Sequence, residues 1–237
     1  MRRKVHHFIT GNYTILLIML FLLFIFRPHE HDVIYTGIWK TVLTASLIVA
    51  IFNCSHKKWT KIFISILAVP IIILGYFTLA VEKPEAFIAS SLLAALFMAI
   101  CAGSIVFDVV LRARVTMETL RGVICAYFLA AFAFAYVYLF VEYMQPGSML
   151  IRGEIVPIFP HVRYLSDMLY YSFVTLLTVG YGDIVPAREW AQSVAVIEGI
   201  IGQFYIAILV ARIVSVYSFS SDKQLLKHLE KDIHING

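Results

Sequence analysis

Long apolar runs are the feature that most constrains this chain of 237 residues. Six of them follow one another, each close to the roughly 20 apolar residues that a helix needs to cross about 30 Å of hydrocarbon. Hydrophobic residues make up 61% of the sequence and charged residues 14%. Soluble domains are about 45 to 50% apolar and about 25% charged. The sequence therefore predicts an all-α integral membrane protein with six transmembrane helices.

The predicted spans can be oriented by their basic flanks. They cover residues 11–26, 33–52, 62–81, 86–111, 119–141 and 190–217. Cytoplasmic flanks carry the excess of Lys and Arg, and most of the 19 basic residues fall on one side if the N-terminus lies inside. We expect a multi-pass protein of the plasma or inner membrane, in contact with lipids, with both termini cytoplasmic. A net charge of +4, scattered among apolar runs, predicts no nucleic-acid partner.

A shorter helical segment precedes the last apolar run. Residues 143–162 contain three prolines and are predicted to form an extracellular loop. The next stretch, 163–177, is compatible with a helix but is too short to span. A helix that enters a membrane without crossing it needs protein or a water-filled cavity to shield its backbone. We therefore expect a re-entrant helix.

The re-entrant helix leads into the motif TVGYGD at residues 178–183. A pore that strips water from a cation needs a dense stack of oxygens, and backbone carbonyls provide one without fixed charge. Turning successive carbonyls to one side requires positive φ at alternate positions, which glycine adopts at low cost. Gly180 and Gly182 have that spacing. Because the motif occurs once, a closed ring of oxygens requires several copies of the chain.

The motif resembles the selectivity filter of potassium channels. The resemblance covers roughly residues 119–217 and implies the pore domain of the tetrameric potassium channel superfamily: outer helix, pore helix, filter and inner helix. It implies a homotetramer, so that three identical subunits are partners of each chain, and a passive channel rather than an enzyme. K⁺ is then the permeant ion, and no cofactor is expected. The resemblance assigns K⁺ coordination to Thr178, Val179, Gly180, Tyr181 and Gly182, with metal contacts from the first four.

Five further residues are predicted to support the filter. Tyr170 and Tyr171 match the aromatic pair that braces the filter in the family, although plain aromatic packing is the alternative. Thr175 and Asp183 flank the filter on its two sides. Glu198 lies in the middle of the sixth span, where an ionisable group is expensive and suggests a function. We expect it to bond the base of the re-entrant helix; a purely structural, protonated glutamate is the alternative.

The sixth span also carries candidate gating residues. By distance from the filter, Gly202 matches the inner-helix hinge of the family, and Gly199 is a second candidate. Close helix packing is the alternative reading of both glycines. Four residues are expected to line the cavity and the cytoplasmic constriction: Gln203, Ile206, Val210 and Val214. One departure from the common family pattern is Leu177, which stands where a second threonine usually precedes the filter.

The N-terminal helices lack the charges of a voltage sensor. No Lys or Arg occurs within residues 86–111, whereas steep voltage gating needs several transferred charges per subunit. We divide the chain into a four-helix N-terminal domain (1–111), a pore domain (112–218) and a short cytoplasmic tail (219–237), and expect a channel that is not voltage-gated. Two alternatives stay open: a potassium transporter subunit and a non-conducting membrane sensor on the same scaffold.

Overall fold

The structure, a computed structural model, describes residues 13–27, 33–53, 58–80, 84–111, 117–158 and 161–211. Over these residues the chain is mostly helical. The helices are α1 (Tyr13–Ile25), α2 (Val33–Asn53), α3 (Lys58–Ala80), α4 (Pro84–Leu111), α5 (Met117–Met144), α6 (His161–Leu176) and α7, described over Glu189–Ala211. Two short strands complete the fold, β1 (Met149–Ile151) and β2 (Ile184–Pro186).

A helix lies in each of the six predicted spans. By length and composition, three of them within the described residues can cross a membrane: Glu85–Val109, Glu118–Met144 and Glu189–Ala211. Three shorter apolar helices accompany them: Tyr13–Ile25, Tyr35–Ile51 and Ile64–Phe77. The expected positions of the helices are therefore found, while the crossing of the membrane by all six stays a prediction.

Polar side chains in the N-terminal helices find backbone partners. The Thr44 hydroxyl donates to the Lys40 carbonyl (2.9 Å), and the Ser91 hydroxyl donates to the Phe87 carbonyl (2.8 Å), both one turn back in the same helix. The Lys40 ammonium donates to the Gly75 carbonyl at 3.0 Å and so links α2 to α3. These bonds give the hydroxyl groups and the lysine ammonium polar partners within apolar helices.

Helix α5 is the central element, and α1, α4 and α6 all pack against it. At the start of α5, a Cβ added to Gly122 would lie 3.2 Å from the Tyr13 ring, so α1 approaches there closely. Farther along both helices, the Phe24 and Phe128 rings meet edge to face at 6.5 Å. Phe24 also lies 4.4 Å from the Phe173 ring of α6, measured between centroids. Helices α1 and α5 thus run in the same direction, and α1 reaches α6.

Helix α6 has 16 residues and is about 24 Å long. Tyr164, near its start, lies beside Glu142 in the last turn of α5. Near its end, the Ser172 hydroxyl lies 2.8 Å from the Ala131 carbonyl, close to the middle of α5. Helix α6 therefore runs antiparallel to α5 from the C-terminal end of α5 and ends near its middle.

Helix α7 runs antiparallel to α5. The Tyr138 hydroxyl of α5 donates to Glu198 Oε2 of α7 at 2.6 Å. About two turns later in α7, the Tyr205 hydroxyl donates to the Val123 carbonyl, near the start of α5. The Tyr127 and Tyr205 rings pack at 5.3 Å between centroids. Helices α5, α6 and α7 therefore form one packed unit around the end of α6.

The two strands are a feature that the sequence analysis did not predict. They pair antiparallel, with Met149 opposite Pro186 and Ile151 opposite Ile184. The Arg152 N–H continues the pairing with a 2.6 Å bond to the Asp183 carbonyl. Strands of three residues carry too little periodicity to stand out in a sequence. The all-α expectation is corrected to this extent: the predicted loop contributes one strand of a small sheet.

The buried side chain of Glu142 holds the turn that leads into β1. Glu142 is buried and accepts hydrogen bonds from the N–H groups of Gly147 (2.7 Å) and Met149 (3.0 Å). Gly147 has a φ of 79°, in the region that favours glycine. Because both acceptors belong to one side chain, Glu142 holds the turn and the first residue of β1 together. The sequence analysis did not single out this residue.

Candidate functional site

The backbone after α6 alternates in handedness. Thr178, Gly180 and Gly182 have φ values of 57°, 59° and 77°, and all three lie in the left-handed region. Val179 and Tyr181 separate them. This alternation turns successive peptide groups toward one side of the strand, which is the backbone arrangement that a stack of carbonyl oxygens requires.

Thr178 adopts positive φ without being a glycine. A β-branched residue in this region costs about 1–2 kcal/mol, so other contacts have to hold it there. The Thr178 N–H donates to the Thr175 carbonyl at 2.9 Å, and the Val179 N–H donates to the Val174 carbonyl at 2.9 Å. The last turn of α6 thus fixes the start of residues 177–183, which are named the filter segment after their predicted role. Sequence reasoning missed this strained threonine because propensity assigns positive φ to glycine alone.

The two filter glycines are constrained by their dihedral angles rather than by space. A Cβ added at Gly180 or at Gly182 would meet no atom within 4 Å in the single chain. Their positive φ nevertheless disfavours any residue with a side chain. Gly153, in the turn after β1, has the same combination of positive φ (84°) and open surroundings.

Large side chains of the filter segment are exposed in the single chain. Tyr181 is 71% exposed, Leu177 52% and Val179 46%. The neighbouring helix α7 exposes a broad apolar surface as well, which includes Val196, Phe204 and Ile208. Contiguous apolar surface of this kind marks contact with lipid or with another protein surface.

A buried polar cluster lies behind the filter and centres on Glu198. Its Oε2 accepts a hydrogen bond from the Tyr138 hydroxyl at 2.6 Å, and its Oε1 is hydrogen-bonded to the Ser172 hydroxyl. Glu198, Tyr138 and Ser172 are each fully enclosed by protein. The cluster therefore joins three helices, α5, α6 and α7, at the depth where α6 ends.

The hydroxyl of Ser172 lies near two acceptors but has one proton. It contacts both Glu198 Oε1 and the Ala131 carbonyl. A carboxylic acid at Glu198 that donates to Ser172, while Ser172 donates to Ala131, satisfies all three groups. An amide at position 198 could make the same set of bonds.

Tyr171 extends the cluster toward the filter. Its ring meets Tyr138 edge to face at 5.0 Å, and its hydroxyl interacts with Thr175. Thr175, in turn, accepts the Thr178 N–H through its carbonyl. The predicted support residues Glu198, Tyr171 and Thr175 are therefore brought together by the structure.

Tyr170 faces a different environment from Tyr171. It lies at a polar pocket of about 390 Å³ whose lining includes Asp183, Arg27 and Asp167. Its hydroxyl interacts with the Asp183 carboxyl, directly after the filter. The predicted aromatic pair is thus divided: Tyr171 is buried behind the filter, and Tyr170 lies near the far end of the filter.

Gly202 lies where α7 crosses the end of α6. A Cβ at this position would lie 2.6 Å from the Leu176 carbonyl oxygen and 3.1 Å from the Leu176 Cα. At Gly199 the same added atom would meet nothing within 4 Å. The geometry at Gly202 accounts for a glycine by close packing, which was the alternative to the predicted hinge, and leaves the hinge itself a prediction.

The predicted cavity residues are exposed in the single chain. Gln203, Ile206 and Val210 have a spacing of three and four residues, which puts them on one stripe. This stripe continues the line of Glu198 and Gly202, which lie four residues apart and are buried against α6. Val214 lies outside the described residues.

Comparison with known proteins identifies the class of the C-terminal region. Residues 124–219 match the family model described as "Ion channel", so this region is an ion channel domain. The match includes the end of α6, the filter segment and α7.

Two of its curated relatives are named as potassium channels. One is the intermediate conductance calcium-activated potassium channel protein 4 of Rattus norvegicus, 34% identical over 30% of this chain and 17% of the relative. Another is the two-pore potassium channel 5 of Arabidopsis thaliana, 31% identical over 29% of this chain and 17% of the relative. Protein LctB of Geobacillus stearothermophilus is 40% identical over 25% of this chain and 41% of the relative. The chain thus spans less than half the length of each of these relatives, and no solved structure matches it significantly.

These matches support the resemblance of residues 124–219 to the potassium channel superfamily. The family model and the two relatives named as potassium channels describe ion channels rather than enzymes, in agreement with the expectation from the sequence. The roles of the individual filter and gating residues stay predictions.

The packing at Gly202 leads to a prediction with a matched control. We expect Gly202→Ala to lower the thermal stability of the detergent-solubilised protein, because overpacking against backbone atoms costs about 1–3 kcal/mol. Gly199→Ala should leave the melting temperature unchanged or raise it, since alanine favours a helix over glycine by about 1 kcal/mol. Equal melting temperatures for the two variants would contradict the close contact at Leu176.

The Glu198 cluster leads to a second prediction. Glu198→Leu should lower the melting temperature strongly, because each buried polar group left without a partner costs about 1–3 kcal/mol. Glu198→Gln should retain most of the stability, since its amide can donate to Ser172 and accept from Tyr138. Ser193→Leu, at an exposed polar residue earlier in α7, serves as the control. A tolerated Glu198→Leu would show that the cluster does not support α6.

Proposed function

We propose that this chain is one subunit of a homotetrameric, potassium-selective channel that conducts K⁺ passively. The observation that carries the proposal is the alternation of positive φ at Thr178, Gly180 and Gly182, directly after a helix that stops halfway along α5. Carbonyls of Thr178, Val179, Gly180 and Tyr181, with the Thr178 hydroxyl at the inner end, would replace the hydration shell of the ion.

The tetramer is proposed because one chain contributes one strand of oxygens. Four strands around an axis close a ring of carbonyls, and cyclic symmetry lets each chain make the same contacts. The exposed Tyr181 side chain and the apolar surface of α7 are candidates for contact with neighbouring subunits. In this arrangement the stripe of Gln203, Ile206 and Val210 lines the inner cavity.

The membrane arrangement is proposed from lengths and contacts. We place all six long apolar helices across the plasma or inner membrane, in contact with lipid, with both termini in the cytoplasm. Helix α6 is then the re-entrant pore helix, since it is too short to span and the chain after it returns to pair with β1. The C-terminal end of α6 carries a partial negative charge and would face the cavity, where a cation gains from it.

Voltage is not proposed as the gating stimulus. Helix α4 contains no Lys or Arg, and each charge moved through 100 mV supplies only about 2.3 kcal/mol. We propose instead that apolar cavity residues close the pore by dewetting. Bending of α7 at Gly202 or Gly199 would open it, and no cofactor takes part.

Ion flux into reconstituted liposomes tests the proposal. We expect uptake of K⁺ and Rb⁺ but not of Na⁺, with little change in open probability across a 100 mV range in planar bilayers. Gly180→Ala should abolish either the flux or the selectivity, because alanine at positive φ costs about 1–2 kcal/mol in every subunit.

Gly153→Ala is the matched control for this substitution. It introduces the same side chain at positive φ with equally open surroundings, but outside the filter. We expect it to conduct K⁺ selectively. Equal Na⁺ and K⁺ flux in the parent protein would refute selectivity. Absence of any flux would favour a non-conducting sensor, and flux that moves K⁺ against its gradient would favour a transporter subunit.

A further inference from the structure

The end of α1 reaches the pocket beside the outer end of the filter segment. Arg27 lies two residues after the end of α1, and its side chain lines the polar pocket together with Tyr170 and Asp183. The predicted topology places Arg27 on the outer side of the membrane. The outer end of the filter lies at the same level, so the contact agrees with that topology.

The Arg27 guanidinium makes several contacts with α6. Its Cζ lies 5.1 Å from the centroid of the Tyr170 ring and 5.8 Å from that of the Phe24 ring, which is within the range of cation–π attraction. Its Nη1 lies 3.4 Å from the Ser166 carbonyl, to which it donates. Burial lowers the pKa of the guanidinium, and the nearby Asp167 and Tyr170 oppose that shift. Arginine stays charged under these conditions, because its ordinary pKa lies far above neutral pH.

Tyr170 connects this contact to the filter. One face of its ring receives the guanidinium, and its hydroxyl interacts with the Asp183 carboxyl. Asp183 is the residue after Gly182, and its carbonyl accepts the Arg152 N–H. One aromatic ring therefore contacts both Arg27 and the residue that follows Gly182.

We propose that Arg27 is a positioning residue of the filter, which fixes Tyr170 and through it Asp183, so that the position of α1 controls the conducting state. This inference rests on the function proposed above. In this proposal α1 does more than pack against α5, because the contacts from Arg27 through Tyr170 end at Asp183, next to the filter. The planar guanidinium is essential to it because a lysine ammonium cannot stack on the ring and donate in the same geometry.

The test compares four single variants, and the double variant Arg27→Gln/Tyr170→Phe, of this chain in liposomes and planar bilayers. Arg27→Gln removes the charge, Arg27→Lys keeps the charge without the planar group, and Tyr170→Phe keeps the ring without the hydroxyl. Arg188→Gln is the matched control, because it removes the same charge from an exposed arginine on the predicted outer side that does not line this pocket.

Two measurements separate positioning from general stability. The first is the rate at which current decays when external K⁺ is lowered, together with the K⁺/Na⁺ permeability ratio from reversal potentials. The second is the rise in melting temperature when K⁺ replaces Na⁺, which reports ion binding to the folded protein. A purely structural arginine would lower the melting temperature in both salts equally.

We expect Arg27→Gln and Tyr170→Phe to speed the decay by roughly threefold to tenfold, the range for loss of one cation–π contact or hydrogen bond. Both should reduce stabilisation by K⁺, with Arg27→Lys intermediate and Arg188→Gln unchanged. The double variant should be less than additive, because both changes act on one path.

Parent-like decay and parent-like K⁺ stabilisation in Arg27→Gln would overturn this inference alone. If Arg27→Gln does not form a folded oligomer, Arg27→Lys and Tyr170→Phe decide the question, and parent-like behaviour in both would overturn it. No K⁺ flux in the parent protein would overturn the proposed function as well.

Discussion

A non-helical backbone packed among apolar helices needs protein partners for its N–H and C=O groups, and the rest of this structure depends on how the chain meets that requirement. The filter segment begins where α6 ends, and the last turn of α6 supplies carbonyls to the N–H groups of Thr178 and Val179. That turn is held in place by the bonds of Ser172 and Glu198. Local strain at the filter is therefore supported by a polar cluster that is enclosed by three helices.

The same cluster explains why α7 can approach α6 so closely. Glu198 and Gly202 lie one turn apart on the same face of α7. The first draws the helices together by hydrogen bonding, and the second lets the backbone of α7 reach the Leu176 carbonyl. A larger residue at Gly202 would separate the helices and weaken the bond at Glu198, so the two positions are expected to be energetically coupled.

Much of this architecture was predictable from the sequence, because it follows from local patterns. Apolar runs located the long helices, and the spacing of Gly180 and Gly182 indicated positive φ at alternate positions. Other features depend on pairs that are distant in the chain. Glu198 was recognised as a support residue, but its partner Tyr138 is 60 residues away and has no sequence signal of its own.

Three features escaped prediction for separate physical reasons. Positive φ at Thr178 opposes its own propensity and is imposed by bonds to α6. The pairing of β1 with β2 joins three-residue strands from two loops, and Glu142 resembles any carboxylate at a helix end. Each of these features depends on contacts that the folded chain makes, so no local sequence pattern indicates it.

The pairing of β1 with β2 also limits how the residues around these two strands can vary between related proteins. Backbone groups hold the chain after the filter, as in the bond from the Arg152 N–H to the Asp183 carbonyl. Exposed side chains here, apart from those that contact Tyr170, are therefore free to change in shape and charge, whereas a changed number of residues between Glu142 and Arg152 would shift the register. In the proposed channel this surface faces outward, so it can diverge between related proteins while the proposed permeation path behind it stays the same.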